Sequence, residues 1–94
     1  MGRTIVSICI LFFINISLGV AQESYYKRVF VDAEYYVLYE EYRDALPLYK
    51  ELYKAGKNNA NINYRIGQCY LNIPGEKEKA ILFLQKAITD INPA

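Results

Sequence analysis

The 94-residue sequence contains no histidine and no tryptophan, and it has only two cysteines, three prolines and five glycines. Without histidine it lacks the commonest general base at neutral pH and the commonest zinc ligand. Beyond residue 21 there is one serine, Ser24, and one cysteine, Cys69. Glycine-rich phosphate loops, metal-ligand clusters and nucleophile elbows are missing from the sequence. We therefore predict that the protein is not an enzyme and binds no cofactor and no metal ion.

The sequence also has no excess of charge of one sign. It carries 11 Lys and Arg against 10 Asp and Glu, for a formal net charge of +1. Nucleic-acid-binding proteins usually carry a clear basic excess, because they displace the counterions of the phosphates. The balanced charge argues against a nucleic-acid partner and favours a protein partner.

The long apolar segment is confined to the N-terminus. Residues 4–22 contain no charged side chain, Arg3 precedes them, and small residues stand at Gly19 and Ala21. This layout is typical of a secretory signal peptide, with cleavage after Ala21. The alternative is an uncleaved membrane anchor, since about 20 apolar residues can span a bilayer. After cleavage Cys69 is the only cysteine, so no internal disulfide can form; we expect it to be buried in a helix.

Beyond the signal segment, apolar residues recur at helical spacing in four runs. The runs span about 25–39, 42–53, 61–71 and 76–88. Gly56 is the predicted stop of the second helix, and residues 72–75, reading NIPG, predict a turn before the fourth. Strand patterns are missing from the sequence. We predict an all-α chain of two antiparallel helical hairpins that follow a signal-peptide helix.

The two hairpins are related by a sequence offset. Two pairs of residues lie 34 positions apart, Ala33 with Gly67 and Tyr36 with Tyr70. With one residue inserted at the NIPG turn, three further pairs match: Ala45 with Ala80, Tyr49 with Leu84, and Leu52 with Ala87. A fixed 34-residue period in helix–turn–helix units is the signature of tetratricopeptide repeats, and the sequence resembles that family. We predict two repeats, at about 24–57 and 58–93 within the domain 22–94, forming a short α-solenoid. The residues predicted to pack within and between them are Ala33, Tyr36, Ala45, Tyr49, Gly67, Tyr70, Ala80, Leu84 and Ala87.

A narrower resemblance concerns the whole layout. A signal peptide, tyrosine-rich repeats and the stretch NANINYRIGQCYLNIPGEKEKAILFLQKAI look like the N-terminal part of Bacteroidetes cell-envelope proteins of the outer membrane protein A family. The resemblance implies an exported, periplasmic scaffold associated with the outer membrane, and it implies that the chain is part of a longer protein. Solenoid repeats bury their faces against neighbours, so we also expect the last hairpin to be uncapped and the isolated fragment to be either weakly stable or self-associating.

The family resemblance also implies a binding surface. In tetratricopeptide repeats the first helices of successive repeats line a concave groove that takes a peptide or a partner's helix. By position, the groove residues of this chain are Lys27, Phe30, Val31, Glu34, Asn61, Tyr64, Arg65, Gln68 and Asn72. Arg65, with Asn61 and Gln68, could bind a carboxylate or a peptide backbone. The predicted function is a non-enzymatic protein–protein interaction scaffold of the bacterial cell envelope. The alternative is a small membrane-anchored structural envelope protein that keeps its N-terminal helix.

Overall fold

The chain folds into four α-helices joined by short connections. A computed structural model describes the backbone of residues 2–89 and the side chains of residues 19–89. The helices are α1 (Gly2–Leu38), α2 (Tyr42–Lys54), α3 (Ala60–Asn72) and α4 (Lys77–Thr89), and residues 2–89 contain no strand. The predicted all-α class with four helices is confirmed. The side chains of most of the predicted signal segment, and the C-terminal end of the second predicted repeat, lie outside the described residues.

The first helix is longer than the run of helical spacing that predicted it. It begins at Gly2, whereas the amphipathic spacing begins near Tyr25. The residues between the apolar segment and that run include no proline, and the glycine among them, Gly19, does not end a helix by itself. The helix therefore continues across the predicted cleavage position.

Helices α1 and α2 end in the same way, with a residue in the left-handed conformation just beyond the last turn. The residue is Glu40 after α1 (φ 58°) and Gly56 after α2 (φ 76°). The next amide donates to a carbonyl five positions earlier, from Glu41 to Tyr36 at 2.8 Å and from Lys57 to Leu52 at 3.0 Å. These bonds satisfy carbonyls that the helix end leaves open. Gly56 is thus confirmed as the stop of α2.

Local side-chain and turn chemistry fixes the second hairpin. Asn59 caps α3, because its side-chain oxygen accepts a hydrogen bond from the amide of Ile62 at 2.9 Å. The α3–α4 turn holds Pro74 followed by Gly75 at φ 83°, and the amide of Glu76 donates to the carbonyl of Ile73 at 3.1 Å. Proline and then a left-handed glycine are the residues that a type II turn requires. The predicted NIPG turn is therefore present.

One core runs through both hairpins, and each helix packs mainly on the next in sequence. Among the residues predicted to pack, Tyr36 and Leu84 are half-buried and the others are buried: Ala33, Ala45, Tyr49, Gly67, Tyr70, Ala80 and Ala87. Cys69 is also buried, as a free thiol. Small residues are thus buried in all four helices: Ala33, Ala45, Gly67, Ala80 and Ala87.

The closest crossing joins Gly67 of α3 to Leu84 of α4. A β-carbon placed on Gly67 would lie 2.7 Å from two side-chain atoms of Leu84 and 3.3 Å from its backbone nitrogen. A residue larger than glycine would therefore push α4 away from α3 or force Leu84 out of its position.

We predict that the loss of stability caused by Gly67→Ala depends on the side chain of Leu84. In the natural chain the clash costs about 1–3 kcal/mol and exceeds the helix-propensity gain of about 1 kcal/mol, so the variant unfolds at lower urea concentration. In a Leu84→Ala background the two contacts of 2.7 Å are removed and only the 3.3 Å contact with the backbone nitrogen remains, so the same substitution lowers the free energy of unfolding much less. Urea unfolding followed by circular dichroism measures both. Equal effects of Gly67→Ala in the two backgrounds would contradict a close crossing of α3 and α4 at Gly67.

Candidate functional site

An open groove of about 640 Å³ lies between α1 and the beginning of α3. Its floor is apolar and includes Phe30, Leu52 and Ile62, of which Leu52 and Ile62 belong to the core. Val31 stands on its wall with 62% of its surface exposed. A groove of this kind can bury the apolar side chains of a bound segment without any rearrangement of the core.

The rim of the groove is polar and rich in amide side chains. Asn58 and Asn61 are exposed there, together with Lys27. Asn59 also lines the groove, but its side-chain oxygen is already used as the cap of α3. Asparagine side chains both donate and accept hydrogen bonds, so they can pair with the N–H and C=O groups of a peptide backbone.

A tight ion pair closes one end of the groove. Lys57 Nζ lies 2.5 Å from Glu23 Oε1 and 5.8 Å from the ring centre of Tyr26. The hydrogen bond and the charge of Lys57 lower the pKa of Glu23. Both partners are substantially exposed, so this pair contributes little to stability. It does join α1 to the α2–α3 connection at the mouth of the groove.

The other end of the groove adjoins a hydrogen-bonded group that we call the Glu34 cluster: Glu34, Tyr49, Arg65 and Gln68. Arg65 donates to both oxygens of Glu34 at 2.9 Å, from Nε and from Nη2, and the hydroxyl of Tyr49 donates to Oε1 at 2.6 Å. Arg65 Nη1 also donates to the side-chain oxygen of Gln68 at 2.9 Å. One carboxylate thus joins α1, α2 and α3. Paired, parallel bonds between arginine and a carboxylate are among the stronger hydrogen bonds in proteins.

The electrostatics of the Glu34 cluster favour this arrangement at neutral pH. Burial, and then the hydrogen bond to Glu34, raise the pKa of the Tyr49 hydroxyl, which stays protonated and donates. Burial lowers the pKa of Arg65, but the hydrogen bond and charge of Glu34 outweigh it, and the net shift is upward. The side chains of Arg65 and Glu34 remain 25% and 30% exposed, so water reaches the edge of the cluster.

The structure separates the nine predicted groove residues into three sets. Four of them line the groove: Lys27, Phe30, Val31 and Asn61. Glu34, Arg65 and Gln68 form the adjoining cluster, where Arg65 already holds a carboxylate of its own chain. The other two lie apart from the groove. Tyr64 lines a separate apolar pocket on the α4 side, and Asn72, at the end of α3, donates to the carbonyl of Gln68 at 2.8 Å.

Sequence reasoning did not identify the part of the groove contributed by the α2–α3 connection. The segment holding Lys57, Asn58 and Asn59 was predicted only to end a helix. Tyr26 and Leu52 also line the groove, and neither was predicted to do so. The repeated asparagines at 58, 59 and 61 were the available signal, because amide side chains clustered at the start of a helix present several hydrogen-bonding groups on one side.

The remaining chemistry of the described residues is limited. Burial raises the pKa of the Cys69 thiol to about 11, so it stays protonated at neutral pH and is a poor nucleophile. Within residues 19–89, no three His, Cys, Asp or Glu side chains are grouped so that they could hold a metal ion. In the part of the chain that the structure describes, no helix is apolar over a sufficient length to cross a membrane.

Searches against family models, curated proteins and solved structures returned no match to the chain.

We predict that the stabilising contribution of the Tyr49 hydroxyl decreases at alkaline pH. Its pKa is raised in the folded chain, so the unfolded chain loses this proton first, near the usual tyrosine pKa of about 10. The contribution of Tyr49 to stability is then complete below about pH 10 and falls as pH rises above it. Tyr49→Phe should be less stable at pH 8 by about 1 kcal/mol, for loss of the hydrogen bond.

The difference in the free energy of unfolding between the natural chain and Tyr49→Phe should shrink above pH 10. Phenylalanine has no ionisable hydroxyl, so the variant lacks the loss of stability that ionisation of Tyr49 in the unfolded chain causes. Urea unfolding at pH 8, 9, 10 and 10.5 measures it, with Tyr39→Phe as the control for removal of an exposed hydroxyl. A difference between the natural chain and Tyr49→Phe that stays constant up to pH 10.5 would show that Tyr49 does not donate to Glu34.

Proposed function

We propose that the chain is a non-enzymatic protein–protein interaction module of the bacterial cell envelope that binds an extended segment of a partner protein. The observation that carries the proposal is the groove between α1 and α3, which joins an apolar floor to an amide-rich rim. The floor residues Phe30 and Ile62 suit apolar side chains. The rim residues Asn58 and Asn61 suit backbone groups.

The composition of the groove argues for a peptide rather than a small charged ligand. Arg65, the cation best suited to a carboxylate, already binds Glu34, and Lys57 already binds Glu23. Apart from the paired Glu23 and Lys57, the exposed hydrogen-bonding side chains of the open groove are three neutral amides and one amine: Asn58, Asn59, Asn61 and Lys27. A segment with alternating apolar side chains and free backbone groups fits these features best.

The repeat-like architecture is a second part of the proposal. The four helices form two hairpins, and residues related by the repeat offset have equivalent burial. Ala33 and Gly67, 34 positions apart, are both buried, and so are Ala45 and Ala80, 35 positions apart. This equivalence supports a tetratricopeptide-like solenoid in which α1 and α3 are the first helices of successive repeats. The groove then lies on the concave side, where such repeats bind their partners.

The location in the cell envelope rests on sequence. The charge-free N-terminal segment with small residues at Gly19 and Ala21 supports export through residues 1–21. The resemblance to Bacteroidetes cell-envelope proteins of the outer membrane protein A family supports a periplasmic scaffold near the outer membrane. In that setting the partner is another envelope protein.

A peptide-display selection tests the proposed binding mode. We expect the full chain to enrich short peptides with alternating apolar residues from a random phage library. Val31→Asp places a charge on the groove wall and Asn61→Ala removes a rim amide, so each should weaken binding of an enriched peptide by about tenfold or more, the equivalent of about 1.4 kcal/mol. Fluorescence anisotropy with the labelled peptide measures the dissociation constant.

Leu38→Asp is the matched control, because Leu38 is an exposed apolar residue of α1 that does not line the groove. It should leave peptide binding unchanged. Failure to enrich any peptide, or equal binding by the natural chain and both groove variants, would contradict the proposal.

A further inference from the structure

The outer face of α4 is apolar and uncovered among the described residues. Ile81 and Ile88 are 57% and 69% exposed. With Leu84 and Gln85 they form a row at i, i+3, i+4 and i+7 along one side of the helix, and that row carries no charge. Beside it lies an apolar pocket of about 450 Å³, lined by residues of α3 and α4: Ala60, Asn61, Tyr64, Leu84, Ala87 and Ile88.

The equivalent positions of α2 are covered by the next hairpin. At the 35-residue offset of the second helices, Ile81 matches Leu46 and Ile88 matches Tyr53, and both residues of α2 are half-buried against the core. Tyr53 contacts Phe83 of α4 edge to face at 5.7 Å and accepts a hydrogen bond from Lys86 at 2.8 Å. Helix α4 therefore presents the kind of face that α2 buries against its neighbour.

The first helix of another copy is a poor cover for this face. The side of α3 that faces α2 includes Ile62, which lies beside Leu52 in the groove floor, and it continues through Ile66 and Cys69, all buried. At the 34-residue offset the matching residues of α1 are Arg28, Asp32 and Tyr35, and all three are exposed. Stacking this row on Ile81 and Ile88 would take the charged groups of Arg28 and Asp32 out of water, which is costly even when the two pair with each other.

We propose that two copies of the chain associate through their α4 faces, about a two-fold axis close to Ile88. A two-fold contact places the same patch on both sides, so the patch must be complementary to itself. This patch contains both parts that such a contact needs, an exposed Ile88 side chain and an apolar pocket beside it. The row also carries no charge, so two identical copies meet without repulsion. Each Ile88 enters the pocket of the other copy, and the two Ile88 side chains lie close together.

A charge-complementation experiment on the full chain tests this contact. The full chain includes the charge-free segment 4–22, so the experiment uses a detergent whose density equals that of the buffer. Sedimentation velocity of the natural chain should then give the protein mass of two chains. Ile88→Glu and Ile88→Lys should each sediment as single chains, because each would place like charges together at the axis. An equimolar mixture of the two variants should regain the two-chain species, and 0.5 M salt should weaken it.

Two controls separate loss of the contact from a general effect of charge and from unfolding. Leu38→Glu introduces the same charge at an exposed residue of α1 and should remain a dimer. Circular dichroism verifies that the variants keep their helices, and Ile88→Ser is a milder substitution that should also reduce dimer formation. A natural chain that stays monomeric, or Ile88 variants that remain dimeric on their own, would overturn the proposal. A mixture that stays monomeric would overturn the two-fold arrangement.

Discussion

The carboxylate of Glu34 is the point on which the arrangement of the helices depends. It lies on α1, accepts two hydrogen bonds from Arg65 on α3 and accepts a third from Tyr49 on α2. Helices α1 and α3 each pack on α2, and the groove lies between α1 and the beginning of α3. The Glu34 cluster is the direct polar connection between them at one end of the groove, as Glu23 and Lys57 connect α1 to the α2–α3 loop at the other. Together these contacts set the spacing of the two walls.

The distance between α1 and α3 also depends on how the helices pack on one another. Buried small residues, Ala33 and Ala45 in the first hairpin and Gly67 and Ala80 in the second, allow the helices to pack closely. Left-handed residues at Glu40 and Gly56, each the second residue beyond its helix, turn the chain into the connections 39–41 and 55–59. Side chains of α1 and of the beginning of α3 therefore line the same groove.

The helices and their crossings could be predicted from the sequence, because both depend on local spacing. Apolar residues three and four apart predicted α2, α3 and α4 to within a residue or two, and Gly56 and the NIPG turn predicted their limits. The small residues at the 34-residue offset predicted the crossings. The continuity of α1 was not predicted: a signal-peptide helix was expected before a separate amphipathic helix beginning near Tyr25, whereas one helix spans Gly2–Leu38.

The candidate site could be predicted only in part. Lys27, Phe30, Val31 and Asn61 line the groove, and they are among the positions that the resemblance to tetratricopeptide repeats implied. The bond between Arg65 and Glu34 was not foreseen, because the two residues are 31 positions apart and each looks like an exposed polar residue in its own helix. Only the approach of α1 to α3 brings them together. The amides of Asn58 and Asn59 were missed for a related reason: a connecting segment carries no periodicity that would show which way it faces.

A double-mutant cycle on Glu34→Ala and Arg65→Ala tests most directly whether this ion pair holds α1 against α3. The free energy of unfolding of the natural chain, both single variants and the double variant would be measured in urea at pH 7. A paired, partly buried arginine–carboxylate contact within a network should give a coupling energy of about 1 kcal/mol. A coupling energy below about 0.3 kcal/mol, the range of additive sites, would contradict the central role of the Glu34 carboxylate in holding the helices together.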